Sequence, residues 1–302
     1  MNRLLFKKIL FFSLLIIFAD FLFGECMNYI YVHTEKGDFG RNKYICEEAD
    51  QDILIFGSSR AIHHYNPETF ERKLGLSCYN CGEDGMGIIL SYGRYKLAQR
   101  KHQPKLIIYD IENSYDILRN DNSKYLGFLK PYYSVSGIDS LIWEINPNER
   151  YKMLSKLYWY NSRWIDIMVQ YFSKSNEIAR DYKYAPLQGI LDYDPARYVF
   201  ASDKDCDKLK LDIWERFLND CRKKNTQVIF VISPVYGEQD NHFLKPFLEL
   251  IEKHKIPLFD HFSDQFFVGN KKYFADKIHL NSEGSVYFSD IIAGEINTYF
   301  SN

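Results

Sequence analysis

Asp52-Ile53-Leu54-Ile55-Phe56-Gly57-Ser58-Ser59-Arg60 is the stretch from which the rest of the chain is best approached. Ile53 to Phe56 are apolar without alternation, the pattern of a strand buried on both faces. The run stops at a glycine and two serines. It then leads to Asn66-Pro67-Glu68, where Asn66 suits an N-cap and Pro67 the first helical turn. A strand that ends in serine and passes into a helix presents a hydroxyl at the edge of a sheet. The backbone N–H groups of such a turn can hold an oxyanion. A serine-rich turn satisfied by its own neighbours has the same sequence.

Working outward, the same alternation recurs. A short strand over 77–80 runs into a loop with Gly82, Gly85 and Gly87, and a helix follows from Ile88 to about residue 100. A third strand is expected over 105–111. After a long interruption come a helix over about 205–224, strands over 227–233 and 257–262, and helices over 241–255 and 282–300. Strands that are apolar throughout and alternate with helices predict a three-layer α/β/α fold with a mostly parallel central sheet. Sites in such sheets gather at the carboxyl ends of strands, here at residues 57–60, 82–87 and 112–113. The interruption, residues 114–200, is rich in Tyr, Trp, Asn and Asp, with helical stretches around 140–145 and 150–172. It is expected to be a helical insertion forming one wall of the cleft. Its aromatic residues (Tyr132, Tyr133, Trp143, Tyr158, Trp159, Tyr160, Trp164) suit either stacking on sugar rings or a satellite core.

Near the C-terminus stands Asp276-Lys277-Ile278-His279-Leu280-Asn281. An Asp and a His three residues apart can meet within one turn. The carboxylate then accepts the Nδ1 proton and leaves Nε2 free to face a serine. A metal pair would need further ligands of matching spacing, and none accompanies these two. Arg60 could contact a substrate anion or pair with a nearby acid. His63 and His64 are expected to be solvated or capping. Of the cysteines Cys26, Cys46, Cys78, Cys81, Cys206 and Cys221, the pair Cys78 and Cys81 forms a lone C-x-x-C, expected as small buried residues. Cys206 and Cys221 are expected on one helix, about 22 Å apart at ~1.5 Å per residue, too far to pair.

These elements resemble the SGNH (GDSL-like) hydrolase family, which carries four short blocks in order. Gly57-Ser58-Ser59 is similar to the first, with Ser58 where the family has Asp. Asn80 with Gly85 is similar to the second, and Asp276 with His279, followed by Leu280, Asn281 and Gly284, to the fourth. The third block is only partly matched: Asn113 falls on its Asn, Ile111 replaces its Gly, and Glu112 competes for the place. The resemblance covers residues 52–113 and about 226–300. It implies a flavodoxin-like fold and a serine esterase or O-acyltransferase without a cofactor or metal. Ser59 would be the nucleophile, with His279 and Asp276 as its partners and Ser59, Gly85 and Asn113 as oxyanion donors. Arg60 and Glu112 become candidates for substrate binding. The alternative is an inactive scaffold on the same fold. Within the family, an N-terminal anchor with a Gly-Ser-Ser turn is similar to exported proteins of alginate O-acetylation and teichoic acid D-alanylation. That likeness implies an acylated glycan, acetyl esters foremost, or another ester as substrate, and a membrane acyltransferase as partner.

Composition sets the remaining bounds. The chain has 302 residues, 46% of them hydrophobic, and a formal net charge of −2. It carries no basic block, which argues against a nucleic-acid partner. Arg3, Lys7 and Lys8 precede an apolar run over residues 9–23 that Asp20 interrupts. Counted back to Leu4, with the lysines snorkelling, the run reaches the ~20 residues that a bilayer needs. An uncleaved anchor over residues 1–24 is favoured over a cleaved export signal, followed by a tether over 25–50 and the hydrolase-like domain over 51–302. The basic residues before the run place that domain outside the cytoplasm, periplasmic or on the cell surface.

Overall fold

A computed structural model of the chain describes residues 3–161, 163–175, 177–182, 184–193, 205–237 and 245–301. Five strands form one sheet: β1 (Ile53–Gly57), β2 (Cys78–Asn80), β3 (Leu106–Asp110), β4 (Gln227–Ile232) and β5 (Leu258–Asp260). Their order is β2-β1-β3-β4-β5, and every neighbouring pair is parallel. This is the architecture that the continuous apolar runs predict. The order reverses between β1 and β3, so the crevice at their carboxyl ends is the topological switch point of the sheet. Register makes the two strands end level, with Gly57 beside Asp110.

The helices are α1 (Arg3–Val32), α2 (Gly37–Lys43), α3 (Ser59–His64), α4 (Pro67–Leu74), α5 (Ile88–Ala98), α6 (Asn113–Asp116), α7 (Ile138–Ile145), α8 (Glu149–Lys152), α9 (Trp164–Tyr171), α10 (Lys208–Lys223), α11 (Lys245–His254), α12 (Gln265–Val268) and α13 (Ser282–Ser301). Among them, α4 and α13 cover one side of the sheet and α10 and α11 the other. On one face Ile53, Ile55, Ile108 and Ile229 pack with Phe70 of α4 and with Phe288, Ile292 and Ile296 of α13. On the other, Tyr109 meets Trp214 of α10 at a ring separation of 4.6 Å, and Phe230 meets Phe247 of α11 at 5.6 Å. Alternate residues of each strand serve opposite layers, which is why the runs have no polar positions. Truncating Phe56 or Trp214, both fully buried, to alanine would cost about 3–5 kcal/mol.

Local signals act as their chemistry dictates. Asn66 Oδ1 accepts from the Glu68 N–H at 3.1 Å, Pro67 opens α4, and Gly75 ends it at φ +68°. Asp207 caps α10 through the Leu209 N–H. Cys206 therefore precedes that helix rather than sharing it with Cys221. All six cysteines are free thiols. Cys78 and Cys81 are buried, and burial pushes the Cys78 thiol well above its usual range.

The chain divides into two compact units: residues up to Glu47 with Asn122–Asp181, and Glu48–Asp121 with residues from Tyr182 onward. The second holds the sheet. In the first, α1 runs on past the expected anchor to Val32, and α2 and a π-helical turn over Tyr44–Glu48 follow. The segment expected as a tether is thus largely helical. Its polar residues are partners of the insertion: Tyr160 Oη lies 3.0 Å from Asn28 Oδ1, and Asn42 Nδ2 donates to the Phe128 carbonyl at 3.0 Å. Asp20 accepts from the Ser155 hydroxyl at 2.5 Å and from the Lys156 and Leu157 N–H groups at 2.8 and 3.2 Å. This cap, supplied from far away in sequence, sits where the helical stretch expected over 150–172 breaks into α8, a 3-10 turn over Leu157–Tyr160, and α9. Several of the insertion's aromatic groups are engaged within it. Tyr132 and Tyr160 are buried, Trp143 Nε1 donates to Tyr133 Oη, and Trp159 Nε1 donates to the Met153 carbonyl.

Candidate active site

β1 ends at Gly57, whose φ of +140° lies outside the range that other residues favour. A Cβ there would stand 2.7 Å from the Asp110 carbonyl and 2.8 Å from Ala61 Cβ. The chain turns sharply at this point. Ser58 is fully buried, and Ser59 begins α3 half-buried.

The Asp276–His279 segment is shaped by its own side chains. Asp276 Oδ1 accepts the Ile278 and His279 N–H groups, each at 2.9 Å, which folds the four residues into a tight turn. Its Oδ2 lies 2.8 Å from His279 Nδ1, and His279 Nε2 lies 2.8 Å from Ser59 Oγ. A neutral imidazole with its proton on Nδ1 satisfies both contacts, donating to Asp276 and accepting from the Ser59 hydroxyl. Burial works against the Asp276 anion, but the ring N–H and the two backbone N–H groups outweigh it and hold the carboxyl below its ordinary value. Asn281 Oδ1 accepts the Gly284 N–H at 3.0 Å and so caps α13. Gly284 is required there, because a Cβ would meet the Tyr273 carbonyl at 2.2 Å.

Beneath Ser59 lies a polar network that the sequence reading did not anticipate. Of the two roles open to Arg60, the structure shows the ion pair: its Nε lies 3.1 Å from Asp110 Oδ1, both side chains are buried, and its other nitrogens reach the Ile111 and Ser233 carbonyls. The guanidinium is thus engaged by groups of the chain itself. Burial opposes its charge, but Asp110 and then Glu112 outweigh this and raise its pKa. Asp110 Oδ2 also accepts from Tyr65 Oη at 2.6 Å and from Ser233 Oγ. The ends of β1, β3 and β4 are thereby tied together under the nucleophile turn. Residues 60, 65, 110 and 233 meet only through strand register, which no local motif announces.

The two histidines after Ser59 are not solvated. His63 lies between the Ala185 carbonyl, 2.5 Å from Nδ1, and Asp84, 3.2 Å from Nε2. His64 is fully buried and accepts the Leu280 N–H at Nε2, 2.9 Å away. Residues 184–193 also brace the site. Ala185 N–H donates to the Ile62 carbonyl, and Asn281 Nδ2 donates to that of Gly189.

The glycine loop follows β2 along β1: Cys81 N–H donates to the Ile55 carbonyl at 2.7 Å and Glu83 N–H to that of Gly57 at 3.2 Å. Asn80 ties it to α3, donating to the Ala61 and Tyr65 carbonyls and accepting the Gly82 N–H. Gly82 makes the close approach, since a Cβ there would stand 2.5 Å from the Ile62 nitrogen. Gly85 stands in open space with φ +67°. After β3, Glu112 rather than Asn113 touches the nucleophile turn, because its Oε2 accepts from Ser58 Oγ. Its backbone is held by Asp116, whose Oδ2 accepts the Glu112 N–H at 2.8 Å. Asn113 begins α6, its carbonyl accepting from Ile117 and Leu118.

No family model and no curated protein matches the sequence. Similar solved structures include a protein described as lipolytic and of the G-D-S-L family from Desulfitobacterium hafniense DCB-2, at 8% identity and a TM-score of 0.41 over 80% of this chain and 97% of that one. An acetyl xylan esterase is similar at 11% identity and a TM-score of 0.40, over 82% and 98% of the two chains. A protein described as an acylhydrolase from Bacteroides fragilis NCTC 9343 is similar at 13% identity and 0.39, over 85% and 94%. Likeness this distant carries no weight for the chemistry, which rests on the residues themselves.

Proposed function

We propose that the chain is a serine esterase or O-acyltransferase of the SGNH type, acting through Ser59, His279 and Asp276. The observation that carries this reading is the unbroken relay Asp276 Oδ2–His279 Nδ1 and His279 Nε2–Ser59 Oγ, with both steps at 2.8 Å. His279 takes the Ser59 proton as Oγ attacks an ester carbonyl. Asp276 holds the ring in the required tautomer and stabilises the imidazolium. The tetrahedral oxyanion is met by the N–H of Ser59 at the start of α3, by the glycine loop with Gly85 as candidate donor, and by the Asn113 side chain. The C–O bond to the leaving alcohol then breaks, and His279 returns the proton to that alcohol. Water or a second hydroxyl attacks the acyl-enzyme, and Ser59 recovers its proton.

The substrate proposed is an acylated glycan of the cell envelope, with acetyl esters foremost and a membrane acyltransferase as the partner that supplies or receives the acyl group. Glu112 supports a hydroxyl-rich substrate: Ser58 occupies one carboxylate oxygen and leaves the other to accept a sugar hydroxyl. The same carboxylate beside the nucleophile turn is what favours the second reading, a binding protein on this fold, since a fixed negative charge opposes an oxyanion. A fluorophosphonate probe separates the two. Labelling of the wild-type chain, lost in Ser59→Ala, supports the enzyme, and an unlabelled wild type that still binds acylated oligosaccharide supports the scaffold.

The N-terminal helix is proposed as an uncleaved anchor with the rest of the chain outside the cytoplasm. It is the one described helix long and apolar enough to cross a membrane. Support for its retention comes from Asp20, Gly24 and Glu25, which pack into the insertion and would be lost on cleavage before Cys26.

A further inference from the structure

Helix α1 changes character at Asp20. Every large apolar side chain from Leu4 to Phe18 is exposed. From Asp20 onward the helix is built into the insertion through the Asp20 cap, the contact of Gly24 with Lys156, and the ion pair of Glu25 with Lys156 at 3.0 Å. Arg3 to Asp20 spans about 26 Å at ~1.5 Å per residue. That is close to the ~30 Å of a bilayer's hydrocarbon core. On the anchor reading proposed above, on which this inference rests, Asp20 therefore marks where the helix leaves the lipid.

The insertion exposes large apolar side chains at that same level. Leu154 (82% exposed), Tyr151 (68%) and Leu157 flank or lie within the segment that Asp20 caps. Trp164 packs edge-on against Phe23, three residues along α1 from Asp20, and Ile165 beside it is 57% exposed. A water-soluble surface rarely gathers such residues. Here they are continuous with a stretch of helix that is itself apolar and exposed. Tyr151 and Trp164 are of the type that settles at the lipid–water boundary. Lys152 and Arg163 stand among them, both partly exposed and paired with Glu149 and Asp166, and both of the type whose apolar stems can lie along lipid.

We infer that the Tyr151–Leu157 segment and the start of α9 form a membrane-interface surface, seated in the headgroup layer of the bilayer that the anchor crosses. The insertion is then held against the bilayer at the point where the helix emerges, rather than hanging from it on a flexible stem. Along α9 the contact fades. Gln170 Oε1 accepts from the Phe39 N–H and Lys36 Nζ donates to the Ser173 carbonyl, so the far end of α9 lies beyond the end of α1 and away from the lipid.

The test uses the full chain with Cys26→Ser, which removes the exposed thiol and leaves five buried ones. A fluorophore is attached at L154C, I165C, F172C or I16C, and each protein is reconstituted in vesicles of phosphatidylcholine and phosphatidylglycerol. Lipids carrying a nitroxide near the headgroup should quench L154C and I165C strongly and F172C weakly. An aqueous iodide quencher should give the reverse order. Lipids with a deep nitroxide should quench I16C. Deep quenching at I16C with L154C and I165C open to iodide would overturn the interface and leave the anchor standing. Shielding of L154C and I165C from both quenchers would mean that protein covers them, and would overturn it as well. Loss of quenching at I16C would remove the anchor and the inference with it.

Discussion

The backbone N–H of Leu280 donates to His64 Nε2 at 2.9 Å, so a buried histidine five residues after the candidate nucleophile holds the residue next to the candidate base. A ring that accepts at Nε2 carries its proton on Nδ1, and His64 Nδ1 has no hydrogen-bond partner among the described residues. Burial, reinforced by His279, Arg60 and His63, keeps this ring neutral with a pKa well below the usual value. His64 is a positioning residue in this arrangement.

Replacing it by alanine strands the Leu280 N–H, at about 1–3 kcal/mol of stability. His64→Ala should lower kcat with little change in KM, because His279 shifts relative to Ser59. His64→Gln, which can offer a carbonyl oxygen, should recover part of kcat. Equal kcat in all three proteins, with lowered melting temperatures only, would restrict His64 to packing.

Ser59, His279 and Asp276 should behave as one unit. Ser59→Ala and His279→Ala should each abolish nearly all turnover, and the double variant should lose little more. Asp276→Asn should cost between about 10²- and 10⁴-fold in kcat, since it removes the acceptor that sets the His279 tautomer. Steady-state kinetics on an aryl ester checks this, and losses that multiply across the variants would assign the residues separate roles.

His63 sets a pH dependence whose sign follows from its neighbours. Burial lowers its pKa, but the hydrogen bonds to Asp84 and the Ala185 carbonyl outweigh it and leave the pKa above 6.5. A raised histidine pKa means that the folded chain binds the proton more tightly. The stabilisation is therefore complete below the unfolded value of about 6.5 and fades as pH rises through the folded one. Asp84→Asn should lower the melting temperature near pH 6 and converge on the wild type in alkaline solution. A gap that widens with pH would contradict the assignment.

Gly82→Ala should be more damaging than Gly85→Ala to the fold. A methyl at 82 meets the Ile62 nitrogen, whereas the space around Gly85 is open. The first should cost about 1–3 kcal/mol by overpacking. At Gly85 the cost is the positive φ alone, so thermal melts should rank the two clearly.

Asp20 offers a test of the N-terminus. Asp20→Ala removes the acceptor of the Ser155, Lys156 and Leu157 donors and should raise protease sensitivity in the insertion. Mass spectrometry of the membrane-bound chain should find residues 1–25 retained. A mature form beginning near Cys26 would argue for a cleaved signal.

What could be read from the sequence was local. Ile53–Phe56 and Leu106–Asp110 announce buried strands because both faces of each are covered, and Asp276 and His279 announce each other because one turn joins them. Arg60, Tyr65, Asp110 and Ser233 converge only when β1, β3 and β4 are in register, so Arg60 kept two readings. The polar residues of 25–50 looked like a tether because their partners, among them Phe128 and Tyr160, lie about a hundred residues away. The helical periodicity of 150–172 was genuine, yet it could not reveal that Asp20 caps a break within it.

That cap also bears on how the chain is made. Asp20 and Ser155 are separated by 135 residues. At about 5–20 residues per second of synthesis, Asp20 leaves the ribosome roughly 7–27 s before its partner does. Throughout that interval Asp20 lacks the donors it accepts from, and the strands β1, β2 and β3 are synthesised before the cap can form. A holdase or the translocation machinery that shields α1 for those seconds would set the yield of correctly assembled chain, and slow-translating codons ahead of residue 155 would lower it.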